Sequence, residues 1–218
     1  MFEAIIFDMD GVLVDSEPLG MEAMRQVMAR HGIDYTEADN EEFLGRTTPE
    51  SCAILKRRHR LGTDEADLAR SYVDHLLALI HEVPRPMPGI PDVLLALRHG
   101  GYRLALASSA EPEVIEAHTA RLDIARLFEI AVSGVEVPRG KPAPDVFLET
   151  ARRLGVRPGH CLVVEDSRNG LLAAKAAGMR CAVIPCAATR HQDFSEADHR
   201  LGRLTELLPL LDGPGTAP

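Results

Sequence analysis

Residues 4–16, with the sequence AIIFDMDGVLVDS, decide the fold of this chain. The first four are apolar and are typical of a strand buried on both faces of a sheet. Asp8 and Asp10 follow at once, and two unpaired, partly buried carboxylates would cost several kcal/mol or raise one pKa strongly. Because Mg²⁺ typically binds one or two carboxylates together with substrate phosphate, the pattern predicts a cation site at the end of this strand. The alternative for the segment taken alone is a polar Asx-type turn.

The chain then divides into a segment with only helical patterns, residues 16–85, and a segment in which strands and helices alternate. The alternating segment has short apolar runs at 102–107, 130–133, 162–165 and 181–184, separated by amphipathic helical patterns. Such alternation is typical of a parallel, doubly wound α/β sheet of Rossmann-like architecture. We therefore predict an α/β core formed by residues 1–15 and 86–218, with an inserted all-helical cap formed by residues 16–85.

The cap is expected to be a small helical bundle. Its last helix, predicted over 64–81, has an apolar stripe that we expect to pack against the other cap helices. Residues 15–18 and the proline-rich stretch 83–89 are predicted to be the two linkers, which would act as hinges between cap and core.

The composition and net charge of the chain argue against several classes of binding partner. The 218 residues carry a net charge of −9, which argues against nucleic acid and anionic membranes. No apolar run is long enough to cross a bilayer and no signal peptide is recognisable, so we expect a cytoplasmic protein with no obligate protein partner. The four cysteines lack metal-site spacing and are predicted to be core thiols. Only the tail 212–218 is expected to be disordered.

Polar side chains that could take part in chemistry follow the first four predicted strands. Ser108 and Ser109 come after the second strand, Lys141 follows the third, and Glu165–Asp166 ends the fourth. Each has an ordinary explanation, such as a helix cap, a solvated lysine or an acidic first turn. Since the carboxyl ends of parallel strands meet at one edge of a sheet, these groups are expected to converge there with Asp8.

These segments together resemble the haloacid dehalogenase superfamily of phosphoryl-transfer enzymes over essentially the whole chain. The helical insertion resembles the small C1 cap of the subgroup that contains beta-phosphoglucomutase and sugar-phosphate phosphatases. The resemblance is carried by residues 8–17 (DMDGVLVDSE), 106–109 (LASS), 140–147 (GKPAPDVF), 164–170 (VEDSRNG) and 176–179 (AAGM).

The resemblance implies a catalytic role for four residues. Asp8 would be the nucleophile that forms an aspartyl-phosphate. Asp10 would protonate the leaving alkoxide and then activate water. Ser108 and Lys141 would hold the oxygens of the transferring phosphoryl group. The expected activity is hydrolysis of the phosphomonoester of a small metabolite, a sugar phosphate in particular.

The resemblance also implies Mg²⁺ as the cofactor. It would lie between Asp8, the backbone carbonyl of Asp10 and Asp166, with Glu165 as an additional ligand. Mg²⁺ and Lys141 would then offset the charge of the carboxylate cluster.

Substrate specificity is expected to come from the cap. The loop containing Gly45, Arg46 and Thr47 would contact the substrate together with Ser109 on the core. Arg46 is a candidate for binding a substrate phosphate or hydroxyl, the alternative being a solvated loop arginine.

Three other functions are weighed against hydrolysis. In beta-phosphoglucomutases a histidine follows the first motif where this chain has Gly20, and their cap arginine lies further from the glycine than Arg46 does; both departures favour a phosphatase over a mutase. A phospho-aspartate signalling switch is a more remote alternative, because such receivers lack both the helical insert and an Asp-x-Asp after the first strand. Asp10 itself argues against dehalogenation, which needs no acid at that position.

Overall fold

The computed structural model describes residues 2–41, 43, 46–82 and 85–211. Gly45, the tail 212–218 and part of the second predicted hinge lie outside the described residues, so the predictions made for them stay predictions. No helix in the described ranges is long and apolar enough to cross a membrane.

The strands of the core are β1 (Ala4–Phe7), β2 (Arg103–Ser108), β3 (Ile130–Ser133), β4 (Cys161–Glu165), β5 (Arg180–Val183) and β6 (His199–Arg200). They form a six-stranded sheet in which every neighbouring pair is parallel, with strand order β3-β2-β1-β4-β5-β6. This confirms the predicted doubly wound α/β fold. The last strand was not predicted from the sequence because it is a two-residue edge strand with no apolar run.

Helices cover both faces of the sheet and form the insertion after β1. A 3₁₀ turn followed by one short α-helix ends the described part of the chain. The insertion holds α1 (Glu17–Ala29), α2 (Glu37–Glu41), α3 (Thr48–His59) and α4 (Glu65–Glu82). The core holds α5 (Asp92–His99), α6 (Pro112–Arg121), α7 (Asp145–Leu154), α8 (Arg168–Ala176) and α9 (Leu207–Leu211).

The two faces of β1 belong to two different apolar clusters. Ile5 and Phe7 pack with α5 and α6, whereas Ala4 and Ile6 pack with α7 and α8. All four are fully buried. A strand covered on both faces reads as a continuous apolar run, which is why residues 4–7 were recognisable from the sequence.

The long helix α4 packs on both the cap and the core. Leu68, near its start, lies in a cap cluster with Met28 and Leu55, while Leu76 and Ile80 lie in the core cluster. The expectation that the whole stripe packs within the cap therefore holds for its first half only. The physical reason is length: an 18-residue helix is about 27 Å long and reaches past the small cap to the sheet.

The chain enters and leaves the insertion through two adjacent segments. Asp15 N–H donates to Arg85 O at 2.8 Å, and Met87 N–H donates to Leu13 O at 2.9 Å. The predicted linkers thus run side by side where the structure describes them. The division into core and cap at residues 15 and 85 stays a prediction.

Candidate active site

The edge formed by the carboxyl ends of the strands gathers the predicted polar residues. Phe7 is level with Leu106 on one side and Val164 on the other, so the segments after β1, β2 and β4 leave the sheet at the same height. Asp8 and Asp166, which follow two of these strands, are both buried.

Gly11 is the glycine of the first motif, and two features of the site require it. Its φ is +75°, in the left-handed region that glycine adopts without strain. A Cβ at this position would also lie 2.3 Å from Asp166 Oδ2, closer than any real contact. The backbone of the first motif therefore packs directly against the carboxylate of the fourth.

Lys141 is the buried cation of the site. Its Nζ lies 2.6 Å from Asp8 Oδ1, 2.7 Å from Glu165 Oε1 and 3.3 Å from Ala107 O, so its three donors all have acceptors. Burial by itself lowers the pKa of Lys141, but the carboxylates of Asp8 and Glu165 outweigh it and raise the pKa above its usual range. Lys141 is therefore charged at neutral pH.

Glu165 uses both of its oxygens within the protein. While Oε1 accepts from Lys141, Oε2 accepts from the backbone N–H of Asp166, the N–H of Ser167 and the Ser167 hydroxyl, each at 3.0 Å. The side chain fits only because residue 170 is glycine, where a Cβ would lie 1.7 Å from Oε1. These hydrogen bonds hold the Glu165 carboxylate beside the ammonium group of Lys141.

Asp8, Glu165 and Asp166 form a buried carboxylate cluster, in which one oxygen of each lies within 4.8 Å of the others. Burial raises the pKa of Asp8 and of Asp166, and neighbouring carboxylates raise them further. Ligands of an octahedral cation at about 2.1 Å lie roughly 3 to 4 Å apart, a spacing within this limit, so carboxylates of the cluster can hold a Mg²⁺-sized ion. Such a cation would remove the penalty on ionising the cluster.

Asp10 lies beside this cluster and is oriented by two hydroxyls. Ser16 Oγ donates to Asp10 Oδ1, and Ser108 Oγ donates to Oδ2 at 3.3 Å. Ser108 also accepts from Ala110 N–H at 3.1 Å and is fully buried. Ser109, rather than Ser108, lines the cavity above Asp10.

A cavity of about 130 Å³ separates this edge from the cap. On the cap side a chain of hydrogen bonds borders it: Tyr35 Oη donates to Asn40 Oδ1, and Asn40 Nδ2 donates to Glu17 Oε2, both at 3.1 Å. Burial raises the pKa of Glu17 to about 7, with the charge of Asp10 adding to the effect. The cavity is lined from the cap by Glu17, Gly20, Asn40, Phe43, Arg46, Thr48 and Tyr72, and from the core by Asp8, Asp10, Ser109, Glu111, Lys141 and Asp166.

The cap loop closes on the core at two neighbouring threonines. Thr48 lines the cavity, and its Oγ1 donates to Glu111 Oε2 at 3.0 Å. Thr47 is buried and is the N-cap of α3, in a capping box with Glu50. The structure therefore brings Arg46 and Thr48 to the cavity and gives Thr47 a helix-capping position.

Comparison with known proteins places this geometry in a family. Residues 2–178 match the model of the haloacid dehalogenase-like hydrolases. The chain is 34% identical to protein CbbY of Cereibacter sphaeroides over 100% of this chain and 99% of that one, and 33% identical to hexitol phosphatase B of Escherichia coli over 94% and 93%. The crystal structure of CbbY from Rhodobacter sphaeroides in complex with phosphate superposes with a TM-score of 0.89, at 33% identity over 95% and 96% of the two chains.

The chain belongs to the haloacid dehalogenase-like hydrolases. The superfamily predicted from the motifs is confirmed, and so is the prediction of a phosphatase within it. The residues of the superfamily motifs lie together at one edge of the sheet in this chain. The individual roles predicted for those residues stay predictions.

Several residues of this haloacid dehalogenase-like site were not found from the sequence. Glu17 belongs to the first motif but has no predicted role, and Asn40 and Glu111 resemble ordinary polar residues of helix termini. Thr189, which contacts Asp166, lies in a loop without a motif. In each case the position depends on how cap, core and loops meet, which local sequence does not encode.

Proposed function

We propose that this chain is a Mg²⁺-dependent phosphatase that hydrolyses the phosphomonoester of a small phosphorylated sugar or sugar alcohol through an aspartyl-phosphate on Asp8. The observation that carries the proposal is the buried pair of Asp8 and Lys141, which borders a cavity beside Asp10.

In the first half-reaction a carboxylate oxygen of Asp8 attacks phosphorus and the bond to the ester oxygen breaks. Lys141 contacts Asp8 Oδ1, so it orients the nucleophile and places positive charge where the phosphoryl oxygens develop negative charge. Asp10 gives its proton to the leaving alkoxide. Ser109, which lines the cavity, and Ser108, next to Asp10, are the hydroxyls proposed to contact the phosphoryl group.

In the second half-reaction a water molecule attacks the phosphorus of the aspartyl-phosphate. Asp10, now a carboxylate, accepts the proton of this water, and the acyl-phosphate bond breaks to restore Asp8 and release phosphate. Ser16 and Ser108 hold the Asp10 carboxylate by hydrogen bonds, so one residue keeps its position for both proton transfers.

The proposed Mg²⁺ ligands are Asp8, Asp166 and the backbone carbonyl of Asp10. When bound, Mg²⁺ supplies charge that neutralises the carboxylates and the transferring phosphoryl group. Glu165 was predicted as a further ligand. Both of its oxygens already accept hydrogen bonds, so we propose that Glu165 instead holds Lys141 against Asp8.

A hydroxyl-rich substrate fits the cap side of the cavity. Glu17 and Asn40 offer a carboxylate and an amide there, and Arg46 offers a guanidinium. Such groups pair with the hydroxyls of a sugar or polyol. Hexitol phosphatase B, a relative over nearly the whole chain, is named for such a substrate class.

The mutase alternative is disfavoured by the surroundings of Gly20. A Cβ at this position would lie 3.1 Å from the Tyr72 hydroxyl. A larger side chain at position 20 would therefore require the Tyr72 hydroxyl to shift by a few tenths of an ångström. The glycine at the position of the mutase histidine thus supports hydrolysis over transfer between two positions of a sugar.

The proposal is tested by phosphate release from a panel of sugar and polyol phosphates, with Mg²⁺ or with EDTA. We expect Mg²⁺-dependent release that Asp8→Asn abolishes, while Asp145→Asn, at the start of α7 and ion-paired with Arg139, retains it. Conversion of one sugar phosphate isomer into another without release would replace the proposal by the mutase. A long-lived phospho-Asp8 without turnover would replace it by a signalling switch.

A further inference from the structure

The loop after β5 contacts the carboxylate of Asp166 at one oxygen. Thr189 Oγ1 donates to Asp166 Oδ2 at 3.2 Å, and the Cys186 thiol donates to the same oxygen at 3.1 Å. Thr189 is 2% exposed, so almost all of its side chain is covered by the protein.

The orientation of the Thr189 hydroxyl follows from its other hydrogen bond. Cys186 N–H donates to Thr189 Oγ1 at 3.1 Å, so a backbone donor occupies one lone pair of the hydroxyl. The hydroxyl proton has two acceptors in reach, Asp166 Oδ2 and the Cys186 sulfur at 3.4 Å. A carboxylate oxygen is a much stronger acceptor than sulfur, and the proton therefore points to Asp166.

The same oxygen also packs against the backbone of the first motif. Because a Cβ at Gly11 would lie only 2.3 Å from Asp166 Oδ2, the bare backbone of Gly11 packs against this atom. Two donors and a close backbone contact at this one oxygen restrict the rotation of the carboxylate about its Cβ–Cγ bond. The direction of its second oxygen is restricted with it.

We propose that Thr189 is a positioning residue for Asp166, assisted by Cys186, and that it sets the orientation in which this carboxylate binds a divalent cation. The inference rests on the proposed function, since Asp166 is a proposed Mg²⁺ ligand. Hydrogen-bond partners of metal ligands typically contribute 10–100-fold to metal affinity. A residue that only stabilised the loop would contribute nothing to it.

The test is calorimetric titration of Mg²⁺ into the metal-free full-length protein. No substrate is present, so the measured affinity does not depend on turnover. We expect Thr189→Val, which keeps the shape and removes the hydroxyl, to weaken Mg²⁺ binding about tenfold or more. Thr189→Ser, which keeps the hydroxyl, should restore an affinity close to that of the wild type. Equal affinities of the valine variant and the wild type would overturn the proposal.

Two further variants separate the possible failures. Asp166→Asn should abolish Mg²⁺ binding; if it binds like the wild type, the proposed metal site itself is wrong and not only the role of Thr189. If Thr189→Val does not fold, Cys186→Ala removes the second donor to the same oxygen, and we expect a measurable loss of affinity of less than about tenfold. No change in that variant would then overturn the proposal.

Discussion

At the scale of single residues, Glu17 is retained where it costs stability. Its carboxylate is largely buried, accepts from Asn40 and faces the charge of Asp10. Burial raises its pKa to about 7, so its ionised form is disfavoured in the folded protein. A destabilising group kept in a cavity is typical of a group that acts on a ligand.

This pKa gives a pH dependence of stability whose sign follows directly. Between the unfolded pKa of about 4.5 and the folded pKa of about 7, the folded state binds more protons. The contribution of Glu17 to the free energy of unfolding is therefore fully present below the unfolded pKa, and it is lost as the pH rises through the folded pKa of about 7. After a discount for partial exposure, the loss is on the order of 2 kcal/mol.

We therefore expect Glu17→Gln to raise the free energy of unfolding at about pH 8, by on the order of 2 kcal/mol, and to change it little near pH 5. Glutamine stays neutral and keeps an oxygen for Asn40. Urea denaturation in EDTA at both pH values measures the difference. Glu22→Gln, at a half-exposed position on the same helix, is the control and should show no such pH dependence. A pH-independent effect of Glu17→Gln would contradict the assignment.

The sequence placed Asp8, Asp10, Lys141 and Asp166 together because parallel strands bring their carboxyl ends to one edge. That rule needs only the strand pattern, and residues 4–7 and 161–165 have a clear one. The hydrogen bonds of Glu165 to Lys141 and to the turn that follows it could not be predicted in the same way, because they depend on how the fold places its two oxygens.

At the scale of elements, the helices and strands predicted from apolar period lie within a few residues of those observed. The edge strand β6 has no such period and was missed. The apolar stripe of α4 was predicted, but its division between two apolar clusters was not. The spacing of apolar residues along a helix shows which face is buried and does not show which element packs on that face.

The element that we expect to select the substrate is the loop before α3. Arg46 lines the cavity, and Thr48 of the same segment is hydrogen-bonded to Glu111 of the core. Because the guanidinium is proposed to contact the sugar rather than the reacting phosphoryl group, Arg46→Ala should raise KM several-fold and change kcat less. Arg57→Ala, at an exposed position of α3, should change neither. An unchanged KM over the whole panel of substrates for Arg46→Ala would contradict this role.

At the scale of the whole molecule, cap and core share an apolar cluster. Leu19 of α1 and Leu76 and Ile80 of α4 are buried in the same cluster as Leu94 and Leu106 of the core. The cap's own cluster is small and is built around Met28, Tyr35 and Leu55. A cap that buries so little apolar surface of its own is only marginally stable by itself, so its stability depends on its contact with the sheet.

We therefore expect cap and core to unfold in one cooperative transition, and the native cysteines report on it. All four are free thiols; Cys52 is buried in the cap, while Cys161 and Cys181 are buried in the core. Pulsed thiol labelling along a urea titration, with each site quantified by mass spectrometry, should give the same midpoint for all three.

Leu76→Ala sharpens this test, because Leu76 belongs to the shared cluster. Removing a buried leucine side chain typically costs 2–5 kcal/mol, and here the cost should lower the midpoints of cap and core cysteines equally. If Cys52 became reactive at lower urea than Cys161 and Cys181, the cap would unfold on its own. The linkers would then connect two separately stable units, and cap opening by local unfolding would have to be considered for substrate access.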